Sequence, residues 1–89
     1  MMFRCVVFGN NVNVDYVIKD DVHYVNISDL QCDKLNIITL NNKVMINGEM
    51  TNVRDYIFDK GYLHVPIYEL LSIVKNSTFS KSSNTLTIY

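Results

Sequence analysis

Few side chains in this sequence could act as nucleophiles, bases or metal ligands. The two histidines are His23 and His64, and the candidate nucleophiles are Ser28, Cys5 and Cys32. Nucleophilic catalysis needs a nucleophile, a base and a group that orients the base, but the sequence has neither a Gly-x-Ser-x-Gly turn nor a Cys-His pattern. The sequence therefore favours ordinary strand histidines over catalytic ones, and we expect that this domain is not itself an enzyme.

Metal binding is the second chemistry that these residue types could support. Two cysteines are too few ligands for a zinc site, and they fit free thiols better than a disulfide because no dense cysteine framework surrounds them. Asp20 and Asp21 precede His23, but their spacing matches no calcium loop. Adjacent aspartates are typical of a hairpin turn, where their side chains bond to the local backbone. The sequence therefore predicts no metal site and no cofactor.

The tyrosines are the residues best suited to binding a ligand. Alternation along the strand that ends at Val65 predicts that Tyr62 and His64 point outward, and Tyr68 lies off the apolar stripe of the helix that follows. Aromatic rings stack on sugar rings, while Asn, Asp and hydroxyl groups bond sugar alcohols. The predicted ligand-binding residues are Tyr62, His64, Tyr68 and Tyr24; the alternative is that these rings cap a small core.

Composition limits both the fold and its partners. The chain has 89 residues, of which 48% are hydrophobic and 19% charged, which is typical of one folded domain and not of a disordered segment. A net charge of −1 provides no basic surface for nucleic acid. The longest apolar run, Cys5–Phe8, is too short to span a membrane, and no small-residue cleavage site marks a signal peptide. Abundant Val and Ile with no Ala favour strands.

An internal repeat with an offset of 40 residues organises the chain. Residues 15–30 match residues 55–70, and the identical pairs are Asp15/Asp55, Tyr16/Tyr56, Val25/Val65, Ile27/Ile67 and Leu30/Leu70. Segment 44–46 also matches both the opening strand of the first unit and the closing strand of the second. We therefore expect a single domain over residues 1–89, with unit one at about 3–46, unit two at about 44–89 and a shared central strand at 44–46.

Each unit is predicted to contain hairpins followed by a short helix and a closing strand pair. Asn47-Gly48 and Gly9–Asn11 are the hairpin turns that precede the repeated segments. In unit two, Pro66 suits the first helical turn. The apolar stripe of that helix consists of Ile67, Leu70, Leu71 and Val74. Glu69 points elsewhere, so replacing it with Ala should cost under about 0.5 kcal/mol.

The helix of unit one is predicted to be shorter, from Ile27 to about Cys32, with Asn26 as its N-cap. The fold class expected from all these patterns is α+β. Two fused β-rich repeats should form mostly antiparallel sheet with two short helices, and they should share a central strand.

Three segments of the second unit carry a resemblance to a known family. They are VMING at 44–48, GYLHVPIYEL at 61–70 and TLTIY at 85–89. This unit resembles the copper amine oxidase N-terminal-like domain, or stalk domain, of bacterial cell-surface proteins. The first unit matches more loosely, with Asn26 in place of the family's Pro and Asp21 in place of its Gly. The resemblance implies a shared fold without a catalytic site, and the family's name does not imply bound copper.

The resemblance further implies a non-catalytic module that binds peptidoglycan or another cell-wall glycan. Such a module would act at the bacterial cell wall or outside the cell, as part of a larger protein such as a wall amidase or the endolysin of a clostridial phage. A strand that follows Met1 and Met2 directly fits a module taken from a larger protein. The alternative is a protein–protein interaction or dimerisation stalk without glycan binding, in which strand edges pair with a partner or with a second copy.

Overall fold

The computed structural model describes residues 4–89, which form strands, one α-helix and one short 3-10 helix. The predicted start of unit one at residue 3 lies outside the described residues. The strands are β1 (Arg4–Val7), β2 (Asn10–Val12), β3 (Tyr16–Lys19), β4 (Val22–Asn26), β5 (Ile37–Leu40), β6 (Lys43–Ile46), β7 (Glu49–Asn52), β8 (Ile57–Asp59), β9 (Tyr62–Pro66), β10 (Ser77–Ser80) and β11 (Thr85–Ile88). The 3-10 helix spans Ile27–Leu30, and the α-helix, α1, spans Ile67–Ile73.

The described strands form three sheets. Their strand orders are β10-β11-β1-β2, β3-β4-β9-β8 and β5-β6-β7. Strands β1 and β11 run parallel, and the other paired strands of residues 4–89 are antiparallel. The prediction of a β-rich, mostly antiparallel fold is therefore confirmed. Strand β6 pairs with β5 along one edge and with β7 along the other.

Left-handed backbone closes four of the hairpins. Both turn residues have positive φ at Phe8-Gly9, Asp20-Asp21, Asn47-Gly48 and Lys60-Gly61. Two consecutive residues with positive φ form a type I′ turn, whose twist matches that of the flanking strands. Because such a loop has only two residues, the first turn lies at Phe8-Gly9, and β2 begins at Asn10. The predicted turn at Gly9–Asn11 is therefore displaced by one residue.

The prediction of two short helices is wrong in part, because only one α-helix forms within residues 4–89. Asn26 caps the first helical segment as predicted, since its side-chain oxygen accepts the Ser28 N–H at 3.1 Å. The segment nevertheless ends after one turn. The Gln31 N–H bonds to the Ser28 carbonyl, which is 3-10 spacing, and Cys32 then forms a bridge with Leu35 that takes the chain away from the helix axis.

One contiguous core lies between the sheets and the two helical segments. Strands β1, β6 and β11 bury every second residue and contribute Cys5, Val7, Val44, Ile46, Leu86 and Ile88. Leu30 of the 3-10 helix and Leu70 and Val74 of the α1 segment complete the same cluster. Both cysteines are free thiols; Cys5 is buried and Cys32 is exposed. No helix within residues 4–89 has the length and apolar character that crossing a membrane would require.

Glu69 contradicts the prediction that it lies on the surface, since it is only 9% exposed. Its Oε1 atom accepts the backbone N–H of Arg54 at 2.8 Å and that of Asp55 at 3.2 Å. Helical periodicity places Glu69 off the apolar stripe, but it does not reveal that the chain before β8 turns its amides toward this carboxylate. Glu69 therefore joins α1 to the segment between β7 and β8.

Candidate functional site

The predicted ligand-binding residues lie at two separate places. Tyr62 is the first residue of β9, and Tyr68 lies in α1, beyond the other end of that strand. Both are exposed, at 55% and 56%. Tyr24, which is half-buried in β4, pairs with Pro66 and lies close enough to Tyr68 to influence it electrostatically. Tyr68 and Tyr24 therefore belong together, whereas Tyr62 lies at the other end of β9 and His64 lies in the middle of that strand.

The prediction that His64 points outward is wrong, because its side chain is fully buried. Strand β9 lies inside its sheet, between β4 and β8. The Nδ1 atom of the ring is 2.9 Å from the carbonyl oxygen of Tyr62, and the Nε2 atom is 3.3 Å from Oδ2 of Asp15. Leu63 and Val65 on either side of His64 are buried as well, so both faces of this interior strand are covered and the simple alternation of inside and outside fails.

A hydrogen bond to Asp55 holds the ring of Tyr68. The Tyr68 hydroxyl donates to Oδ2 of Asp55, and this bond raises the pKa of Tyr68 to about 12, with smaller contributions from desolvation and nearby negative charge. The phenol is therefore neutral at physiological pH. The bond fixes the hydroxyl end of the ring and leaves more than half of the residue open to solvent.

An open groove of about 580 Å³ adjoins this fixed ring. Its apolar lining comes from the start of β4, from α1 and from β10, through Val22, Ile67, Tyr68, Leu71 and Phe79. Its polar lining consists of Asp21, His23, Lys81 and Asn84. Among the predicted site residues, only Tyr68 lines the groove. Phe79, Lys81 and Asn84 come from a strand and a turn that gave no sequence signal for binding, and Asp21 and His23 were considered only as metal ligands.

A different cluster has the residue types needed to hold a metal ion. Ligand atoms of Asp15, Asp59 and His64 all lie within 4.8 Å of one another. Sequence reasoning did not identify Asp15 or Asp59 as site residues, because the three residues are distant in the chain and follow no ligand-spacing motif. Asp15 had drawn attention only as one identity in the repeat.

The surroundings of Cys5 do not activate its thiol, and His64 faces neither a serine nor a cysteine. Burial, assisted by the negative charge of Asp29, raises the pKa of the Cys5 thiol to about 12, which disfavours the reactive thiolate. The ring nitrogens of His64 face a carbonyl and a carboxylate, not a serine or cysteine.

Comparison with known protein families, with curated proteins and with solved structures finds no match to this chain. Function is therefore inferred from the groove and from the polar clusters themselves.

Proposed function

We propose that this chain is a non-catalytic module that binds a bacterial cell-wall glycan through the groove beside Tyr68. The observation that carries the proposal is the composition of that groove, in which aromatic and aliphatic side chains adjoin polar ones. A sugar ring has an apolar face that stacks on an aromatic side chain and hydroxyl groups that need hydrogen-bonding partners. Tyr68 and Phe79 supply aromatic surfaces for stacking, and Asp21, Lys81 and Asn84 supply hydrogen-bonding partners for the hydroxyl groups.

The size and rigidity of the groove support this assignment. Its volume of about 580 Å³ lies within the range of roughly 300–1,000 Å³ that is usual for ligand pockets. The bond between Tyr68 and Asp55 holds the exposed ring in place before a ligand arrives. Less conformational entropy is then lost on binding, which favours affinity for a weakly held sugar.

The proposal includes a relationship to the copper amine oxidase N-terminal-like domains and a duplicated architecture. Residues 40 positions apart pair with each other in the middle of the β4–β9 ladder, where Val25 lies opposite Val65. Asp29 accepts the N–H of Asp15 at 2.8 Å, just as Glu69 accepts the N–H of Asp55 at 3.2 Å. Both pairs of contacts are what two related units facing each other would produce.

The double pairing of β6 supports a strand shared by the two units. In the three-stranded sheet, β6 lies between β5 and β7, whereas in the first sheet the parallel pair β11 and β1 lies between β10 and β2. Strand β6 thus has the place in its sheet that β11 and β1 together have in theirs, as expected if β6 both closes unit one and opens unit two. In this account the module acts at the cell wall as part of a larger wall-acting protein, such as an amidase or a phage endolysin.

Sedimentation with purified Gram-positive cell walls tests the proposal. Tyr68→Ala should reduce the fraction that sediments, because it removes a stacking surface from the groove. Tyr62→Ala is the matched control, since Tyr62 is equally exposed but does not line the groove. With a net charge of −1, binding by the wild type should survive moderate salt. No sedimentation of the wild type, or equal loss in both variants, would contradict the proposal.

One observation favours the alternative function, a protein-interaction or dimerisation stalk. Ile38, Met45 and Met50 lie directly opposite one another across the three-stranded sheet, and Ile38 and Met50 are more than half exposed. Leu40, on the same strand as Ile38, is 69% exposed. Such an apolar row suits association with a second copy. Sedimentation equilibrium would then detect a dimer of the wild type and a monomer of the Ile38→Lys variant. A wild type that is monomeric at every concentration tested would exclude dimerisation.

A further inference from the structure

A buried histidine and two aspartates lie close together in the second sheet, whose strand order is β3-β4-β9-β8. We infer that Asp15, Asp59 and His64 bind a divalent cation of the zinc class. Asp15 directly precedes β3, Asp59 ends β8 and His64 lies in the middle of β9, so that the site joins the two halves of the chain. None of the three residues lines the groove beside Tyr68, and the inference is independent of the proposed function.

The surroundings of His64 carry the inference. Both ring nitrogens of this fully buried side chain face oxygen atoms that accept hydrogen bonds, the Tyr62 carbonyl and the Asp15 carboxylate. A neutral imidazole has one N–H, so it can donate to only one of them. When Nδ1 donates to the Tyr62 carbonyl, Nε2 presents a lone pair to a carboxylate. In that tautomer a cation between Nε2 of His64 and Oδ2 of Asp15 would be bound by both atoms.

The distance between the two atoms fits a shared ion. A charge-assisted N–H···O bond is usually about 2.7–2.9 Å long. Nε2 of His64 and Oδ2 of Asp15 are 3.3 Å apart, which is long for such a bond. Two ligands that each lie about 2.0–2.1 Å from one tetrahedral ion are separated by about 3.3–3.4 Å. The Nδ1 contact to a backbone carbonyl is also the arrangement that orients metal-binding histidines in general.

The two carboxylates are held in place by the backbone around them. The Asp15 N–H donates to Asp29, and the Asp15 carbonyl accepts the Asn26 N–H at 2.9 Å. Asp59 pairs with Tyr62 across the type I′ turn that joins β8 to β9. The ligands therefore come from backbone that is fixed by hydrogen bonds of its own, and little reorganisation is needed to bind an ion.

The donor atoms indicate which class of cation would bind. Within residues 4–89, neither carboxylate forms an ion pair with a lysine or arginine, so a divalent cation would balance their two negative charges. An imidazole nitrogen favours zinc and its neighbours over magnesium and calcium, which prefer oxygen ligands throughout. Three protein ligands also leave the fourth position of a zinc ion for water.

Calorimetric titration of the full chain with zinc chloride, after removal of metal with EDTA, tests the inference. We expect saturable binding of one ion and a rise in melting temperature. Asp15→Asn and Asp59→Asn should each weaken binding by roughly tenfold or more, since even changes behind a metal ligand commonly cost 10–100-fold. Circular dichroism of each variant verifies that it is folded, which is expected because neither aspartate is buried.

Two control variants separate this site from adventitious zinc binding. His23→Asn removes the other histidine, and Asp20→Asn changes an exposed turn aspartate whose left-handed backbone Asn also tolerates. Both should bind zinc like the wild type. In addition, ¹⁵N spectra of the wild type should show the His64 Nε2 resonance shifting with zinc. The inference is overturned by absence of saturable binding, by loss of binding in His23→Asn alone, or by wild-type affinity in both Asp15→Asn and Asp59→Asn.

Discussion

Replacing Glu69 with Ala should destabilise the fold far more than its position on a short surface helix suggests. The carboxylate accepts two backbone N–H groups, from Arg54 at 2.8 Å and from Asp55 at 3.2 Å. Hydrogen bonds to a charged group contribute about 1.5–3 kcal/mol each. Because Arg54 and Asp55 are exposed, water would replace part of what is lost, and about 1 kcal/mol for each bond is a suitable lower value.

The position of Glu69 in the first turn of α1 adds to this cost. A negative charge there interacts favourably with the helix dipole, by about 0.3–1 kcal/mol. With about 1–1.5 kcal/mol for each of the two hydrogen bonds, the sum is about 2–4 kcal/mol, a large share of the roughly 5–15 kcal/mol that stabilises a typical domain. Urea unfolding followed by circular dichroism measures the difference. Glu69→Gln keeps a hydrogen-bond acceptor but loses the charge, so its free energy of unfolding should lie between that of the wild type and that of the Ala variant.

Glu49→Ala is the matched control for that measurement. Its carboxylate lies 3.6 Å from the Lys75 ammonium group, and both side chains are largely exposed, so the pair should contribute only about 0–1 kcal/mol. Two results would show that the carboxylate of Glu69 does not join α1 to the chain before β8. One is a free energy of unfolding for Glu69→Ala within about 0.5 kcal/mol of the wild type; the other is an equal loss of stability in Glu49→Ala and Glu69→Ala.

Three further predictions follow from the same structure. Ile46→Asp places an unpaired charge at a buried position of β6, and we expect it to unfold both halves of the domain together, as measured by circular dichroism. Loss of the folded signal from only one half would contradict a shared strand. Absorbance at alkaline pH should reveal one tyrosine with a pKa of about 12, and Asp55→Asn should lower the pKa of Tyr68; an unchanged titration would refute the hydrogen bond. Burial raises the pKa of Cys5 from 9.0 to about 12, so its contribution to stability is present below pH 9.0 and lost as the pH rises to about 12. Cys5→Val should lessen the loss of stability at alkaline pH. A thiol reagent added to the folded protein should modify Cys32 and not Cys5.

Local features of this fold could be predicted from the sequence because their causes are local. Asn47-Gly48 and the Asp20-Asp21 pair adopt left-handed backbone readily, and both form the predicted hairpin turns. The cap at Asn26 is confirmed for the same reason, whereas Pro66, expected in the first helical turn, is the extended N-cap residue that precedes α1. The first helical segment was predicted too long, because the bridge from Cys32 that ends it depends on where the chain goes next.

The polar clusters could not be predicted, because they depend on contacts between distant segments. His64 contacts Asp15 across 49 positions of the sequence, and Glu69 accepts hydrogen bonds from backbone 14 and 15 positions away. Alternation and helical periodicity assume that one face meets solvent, and they cannot show that another segment covers that face. The same limit applies to the groove, in which Tyr68 was identified as a binding residue but Phe79 was not.

Titration of the ¹⁵N-labelled domain with soluble fragments of Gram-positive cell wall tests the proposed function most directly, since amide shifts locate the contact residue by residue. We expect saturable shifts around the groove, at Tyr68, Leu71 and Lys81, with amides near Tyr62 unchanged. Shifts confined to the exposed row at Ile38 and Met50, or spectra that no wall fragment alters, would contradict it.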